Sequence, residues 1–130
     1  FLLCINHQFA ESAFEIAEGK TINGKMTLGE NIGDNGGLHV ALRAMHNDGS
    51  MAADIDGLSA DQRFFLGWAR IWASNDRPEY ADMLLKMDVH SPNKARVNGA
   101  LPHIDEWYTA FNIKKSDPLF LPKNKRARVW

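Results

Sequence analysis

Residues 27–38 read TLGENIGDNGGL, and two of them, Glu30 and Asp34, are carboxylates four positions apart. On a helix that spacing stacks them on one face. Such a pair could ligate a metal or serve a catalytic site. It also has a cost, since like charges at this spacing oppose the helix by roughly 0.2–0.5 kcal/mol when exposed. Buried, they need a cation, a metal or hydrogen-bond donors facing them. The same face continues through Leu38, Ala41 and Met45, so both acids are expected at the head of a buried stripe. Gly33, Gly36 and Gly37 lie beside them, each costing about 1 kcal/mol relative to Ala in a helix interior. There a missing side chain lets another backbone come close. Pattern alone leaves two readings open. One is a capped helix start at a tight helix crossing, with its acids near the positive end of the macrodipole. The other is a metal or catalytic site.

The elements that must position these residues read as helices. Residues 8–18 carry Phe9, Ala13, Ile16 and Ala17 at helical spacing, and 19–29 hold three glycines and an Asn-Gly, a loop or hairpin-like excursion. A second helix is predicted over about 28–45, ending in the turn-rich HNDGS. Ser59 or Asp61 starts a third, with Phe64, Phe65, Trp68, Ile71 and Trp72 on one face. Pro78 suits the first turn of a fourth helix through about Met87. Residues 88–101 read as a loop, and Pro102 opens a fifth helix through Phe111. No strand pattern stands out, so the fold class is all-α.

Composition narrows the function classes. With 15 Lys+Arg against 16 Asp+Glu the net charge is −1, which offers no broad positive field for nucleic acid. The basic run Lys123-Asn124-Lys125-Arg126-Ala127-Arg128 has no interleaved aromatic and reads as a solvated or salt-bridged tail. No apolar run approaches the roughly 20 residues of a membrane span. The single cysteine, Cys4, cannot form an intrachain disulfide and reads as a small buried hydrophobe. His7, His39, His46 and His103 show no ligand spacing and read as structural or exposed. Met83 and Met87 read as ordinary packing.

Three blocks together carry a resemblance. TLGENIGDNGGL is similar to the zinc-ligand helix of the neprilysin and endothelin-converting-enzyme family of metallopeptidases, whose pattern there is close to ENxxDxGG. Arg77-Pro78-Glu79-Tyr80, Asp88-Val89-His90-Ser91-Pro92, and Arg96-Val97 agree in order, as does the closing Arg128-Val129-Trp130. The resemblance implies the C-terminal helical part of a zincin-like, thermolysin-related catalytic domain, and zinc-assisted peptide-bond hydrolysis. It divides the chain into a lead-in helix and loop over 1–26, the zinc-ligand helix over 27–46, and helices, active-site loop and tail over 59–130.

Residue by residue, the resemblance makes Glu30 the third protein ligand of a His₂Glu zinc site. Asp34 would accept a hydrogen bond from a zinc-ligating histidine and fix its ring. His90 would stabilise the oxyanion formed as the scissile carbonyl is attacked. Arg96 would bond a carbonyl of the bound peptide on the primed side of the cleft. Ile71 and Trp72 would line the pocket for a bulky apolar side chain just after the cut.

The family's other ligands and its general base lie in an HExxH helix, and no HExxH occurs in these 130 residues. The chain is therefore expected to be the C-terminal piece of the enzyme, inactive and holding zinc weakly or not at all when alone. Its partners would be an oligopeptide substrate and the remainder of the same chain, with self-association through uncovered apolar surface. The family points to a location outside the cytoplasm. Where vertebrate members carry cysteines, IWASN, FNIKKS and KRARVW have none, which resembles the bacterial oligopeptidase O branch. The rival reading is a helical binding or scaffold module that kept the architecture without the catalysis.

Overall fold

The computed structural model describes residues 20–49 and 53–129. The expected helix over 8–18, Cys4 and His7 lie outside the described residues. Among the described residues five α-helices follow one another: α1 (Leu28–Asp48), α2 (Ala60–Ile71), α3 (Pro78–Met87), α4 (Asn93–Asn98) and α5 (Asp105–Ala110). Two 3₁₀ turns, Leu101–His103 and Lys123–Lys125, flank α5. Among the described residues there is no strand, only an isolated bridge between Ile55 and Leu58. The helical reading therefore holds, and the local signals explain most boundaries. Ser59 caps α2 in a reciprocal box, its hydroxyl accepting from the Gln62 N–H while the Gln62 side chain accepts from the Ser59 N–H. Gly49 ends α1 in the left-handed region at φ 66° and donates its N–H to the Met45 carbonyl.

Three sequence expectations are corrected. Residues 88–101 are not all loop, because α4 occupies Asn93–Asn98 behind Pro92, with Gly99 closing it. Pro102 does not open a continuous helix. It sits in a 3₁₀ turn, and Ile104, extended at φ −103° and ψ 116°, separates that turn from α5. The third correction concerns which face of α1 is buried. Asn31, Asp34, Asn35, Leu38 and Leu42 are buried, whereas Ala41 is exposed and Met45 half-buried. Each four-residue step turns the face by about 40°. The stripe is therefore centred on Asn31, Leu38 and Leu42, leaving Glu30 and Ala41 on its rim.

The core joins Leu38 and Leu42 of α1 to Phe65 of α2, Trp107 of α5, and Ala100, Leu101 and Ile104 from the segment before it. A smaller cluster of Ile22, Ala95 and Ala127 packs with Leu28 and Ile32 under the start of α1. On α2 only Phe65 is fully buried; Phe64 and Trp68 are half-buried, and Ile71 is 70% exposed. On α3 no residue is buried, and Met83 and Met87 face solvent rather than packing as expected.

The tail folds back rather than standing free. Arg126 bonds Asp105 at 2.7 Å and lies 3.4 Å over the Tyr108 ring, and Lys123 pairs with the same Asp105. Hydrogen bonds from Arg126 first, and from Lys123, hold the Asp105 carboxyl below its usual range. Nearby, His103 is 3% exposed and its Nδ1 accepts the Ala127 N–H at 2.8 Å. Burial pushes its pKa down to about 4, with electrostatic contributions from His39 and Arg126 adding to the shift. The sign follows from linkage: the unfolded chain takes up this proton near pH 6.5 and the folded one only near 4. His103 should thus support the fold fully above pH 6.5 and cede on the order of 3 kcal/mol as the pH falls to about 4. Urea unfolding of wild type and His103→Asn across that interval checks this. A wild-type profile no steeper than the variant's would refute it.

Candidate active site

Thr27 begins α1 as the N-cap without a side-chain capping bond. Its hydroxyl instead donates to the Asn23 carbonyl and accepts from Asn31 Nδ2 at 3.1 Å. Asn31 Oδ1 in turn accepts the Ser91 hydroxyl at 2.7 Å. This buried relay ties the loop after α3, which carries His90, to the helix that carries Glu30. Nothing local in the sequence signals a bond between positions 31 and 91.

His90 is held from both sides. Its backbone N–H donates to Asp88 Oδ1 at 2.9 Å, and its ring Nδ1 meets the same oxygen at 2.7 Å. The opposite ring nitrogen, Nε2, lies 3.2 Å from Glu30 Oε2. A doubly protonated ring satisfies both carboxylates by donating at each nitrogen. The backbone hydrogen bond from His90, then its ring bond, hold the Asp88 carboxyl below its usual range. Asp88 was part of the motif but had no role assigned from sequence; the Asp-x-His spacing, which lets a carboxylate turn back on the N–H two residues on, is the signal that could have found it.

Asp34 and Arg96 form the second half of the site. Arg96 donates from Nε to Asp34 Oδ2 at 2.7 Å and from Nη2 to Oδ1 at 2.6 Å, a bidentate pair. Both side chains are nearly buried, at 9% and 12% exposure. The guanidinium also lies 3.9 Å over the Trp72 ring, and Trp68 Nε1 donates to the Arg96 carbonyl. Arg96 Nη1 carries no further bond among the described residues.

A cavity of about 250 Å³ opens beside these groups. Trp72, Ala81, Leu84 and Leu85 supply its apolar wall, and Asp76, Asp88, His90 and Arg96 its charged edge. Ile71 is not there. It lines a separate apolar groove of about 290 Å³ with Gly37, Ala41, Phe64, Gly67 and Trp68. The helix ends at Ile71, and Trp72, its C-cap at φ −96° and ψ 5°, turns away. The structure therefore brings together Glu30, His90, Asp34, Arg96 and Trp72, and places Ile71 elsewhere.

Glu30 offers an anionic oxygen, half-exposed on the rim of α1. Among the described residues no group of three or more His, Cys, Asp or Glu could hold a metal ion, so Glu30 fits a zinc site as one ligand that needs others. Among the described residues, a Cβ at Gly29, Gly33 or Gly37 would meet nothing within 4 Å, so the lane beside Glu30 is clear of them. The close backbone approach expected at Gly33 and Gly37 is not made by the described residues.

Against known proteins, the family model for Peptidase family M13 matches residues 2–127. Human neprilysin is 38% identical over 98% of this chain, and the neutral endopeptidase of Lactococcus lactis 37% over 87%. The chain spans 17% of the length of each. The inhibitor-bound zinc metalloprotease Zmp1 of Mycobacterium tuberculosis superposes on 99% of the chain with a TM-score of 0.92 at 37% identity, over 20% of its own length. The likeness carries the fold, the all-α part of a zincin-like catalytic domain, and the chain belongs to peptidase family M13.

Proposed function

We propose that the protein containing this chain is a zinc-dependent endopeptidase acting on oligopeptides, and that this chain supplies one zinc ligand and the groups that steady the transition state. The observation that carries the reading is that His90 and Arg96 line one cavity while Glu30 stands 3.2 Å from the His90 ring, in a chain of family M13. Zinc, when bound, would supply Lewis-acid polarisation and a nucleophile at neutral pH. Glu30 would ligate it through its rim carboxylate, and the open glycine lane beside Glu30 leaves room for a segment bearing the other ligands.

The chain's own residues do the rest. His90, clamped by Asp88, presents Nε2 toward Glu30 and can donate a hydrogen bond where negative charge develops on the carbonyl oxygen. Asp34 keeps Arg96 in place, and the uncommitted Nη1 can donate to a peptide carbonyl. Both Asp34 oxygens already take a bond from Arg96, yet each keeps a lone pair for a ligand histidine of another segment. Trp72 and the leucines of α3 would wall the cavity that takes a substrate side chain.

By itself the chain carries no HExxH and is inactive. Its exposed apolar residues, Ile71 and Met87 above all, are covered by the remainder of the protein, or by a second copy when the piece is isolated. No helix among the described residues is long and apolar enough to cross a membrane. A location outside the cytoplasm is part of this proposal, and the name of one relative, membrane metallo-endopeptidase-like 1 of Mus musculus, ties that protein to a membrane. The test is hydrolysis of an internally quenched oligopeptide by the full-length protein, with and without a chelator. Chelator-sensitive cleavage inside the peptide is expected, and a zinc-loaded, folded protein that cleaves nothing would leave a binding module instead.

A further inference from the structure

The cavity beside His90 carries a charge that none of the hydrolytic roles uses. Of its four charged or titratable edge groups, Arg96 is neutralised by the bidentate bond to Asp34, and Asp88 is committed to His90. Asp76 has no ion-pair or hydrogen-bond partner among the described residues, although it lines the cavity. Its chain neighbour Arg77 does not line the cavity. Counting Arg96 with its Asp34 partner, the edge stays negative whether His90 is neutral or charged. The rest of the lining is largely apolar, from Trp72, Ala81, Leu84, Leu85 and Pro92, with Ser91 and Asn93 as its polar members.

The segment bearing Asp76 is also pinned. Asn93 Nδ2, at the start of α4, donates to Ser74 Oγ at 2.7 Å, two residues before the carboxylate. A volume of about 250 Å³ is below the roughly 300–1,000 Å³ of sites for drug-sized ligands, and suits one long side chain. An apolar wall leading to an unmatched carboxylate matches the chemistry of lysine and arginine, whose methylene stems bury while the charged head stays at the rim.

We propose that Asp76 is a specificity-determining residue that makes this cavity prefer a cationic side chain of the bound peptide. The inference rests on the peptidase reading for its ligand class but adds a selection that Trp72 and the leucines alone would not make.

The experiment titrates the full-length protein with acetyl-Leu-Lys-amide, acetyl-Leu-Leu-amide and acetyl-Leu-Glu-amide by calorimetry; blocked termini leave the side chain as the only varied charge. Wild type should bind the lysine peptide roughly two- to fivefold more tightly than the leucine peptide, the scale of a partly exposed ion pair. The gap should close in Asp76→Asn, shrink in about 0.5 M salt, and reverse toward the glutamate peptide in Asp76→Lys. Equal binding of the lysine and leucine peptides by wild type, no binding of either, or a preference that survives Asp76→Asn would overturn it. Because the readout is binding, the two readings fail separately. Cleavage without charge preference sinks only the role of Asp76, whereas charge-selective binding without cleavage sinks only the peptidase.

Discussion

Glu30→Ala in the full-length protein is expected to lose bound zinc and peptide hydrolysis together. Groups that only orient a metal ligand typically cost 10–100-fold in affinity or activity when removed, so deleting a ligand should cost at least ~100-fold. The variant should fold as wild type does, because the Glu30 side chain is 44% exposed and its ion-pair contact among the described residues is His90. Metal analysis after gel filtration, a quenched-peptide assay and a thermal melt separate the three quantities. Unchanged zinc content would remove Glu30 from the ligand set. Lost activity with zinc retained would instead mean that Glu30 acts through His90. Glu30→Gln, which keeps the side chain's size but weakens its donor oxygen, should fall between wild type and Ala in zinc affinity.

Arg96→Ala should produce the largest loss of stability. The substitution strands Asp34, at 9% exposure, beside the cavity left by the guanidinium. Breaking one side of a buried pair costs about 3–5 kcal/mol, most of it the unpaired charge. The stack on Trp72 goes as well. Asp34→Asn combined with Arg96→Met should recover much of the loss, because neither charge is then left alone and the Met stem still covers the Trp72 ring. Denaturant midpoints for the single and double variants decide the matter. A single variant within about 1 kcal/mol of wild type, as an exposed pair would give, would mean the ion pair is solvated in solution.

Much of the fold was legible because its signals are local. Ser59 with Gln62 three positions on announces the start of α2, and Pro78 that of α3. Helix α1 runs on to Asp48, three residues past its expected end at Met45, because Gly49 supplies the left-handed stop. Helix α4 was hidden because six residues are too few to show a period. The Glu30–His90 approach and the Asp34–Arg96 pair join positions about sixty residues apart in the chain, so no window of sequence contains them. The blocks around them pointed to the same residues through resemblance, without the geometry. Ile71 and Trp72, adjacent in sequence, were expected in one pocket. A helix end between them sends each to its own cavity, and periodicity could not place that end to within one residue.

Helix α3 buries no residue, and Tyr80, Met83 and Met87 face solvent along it. A bidentate bond from Lys20 to Asp82 ties it back to the chain ahead of α1. Ala81, Leu84 and Leu85 of this helix form one wall of the cavity beside His90. Few buried contacts mean a low free energy of local opening. In the isolated chain, amide hydrogens of α3 should therefore exchange with deuterium well before those of α1 around Leu38 and Leu42. In the isolated chain the wall beside His90 then breathes while the helix bearing Glu30 stays shut, and whatever covers Met87 in the whole protein has α3 to quiet.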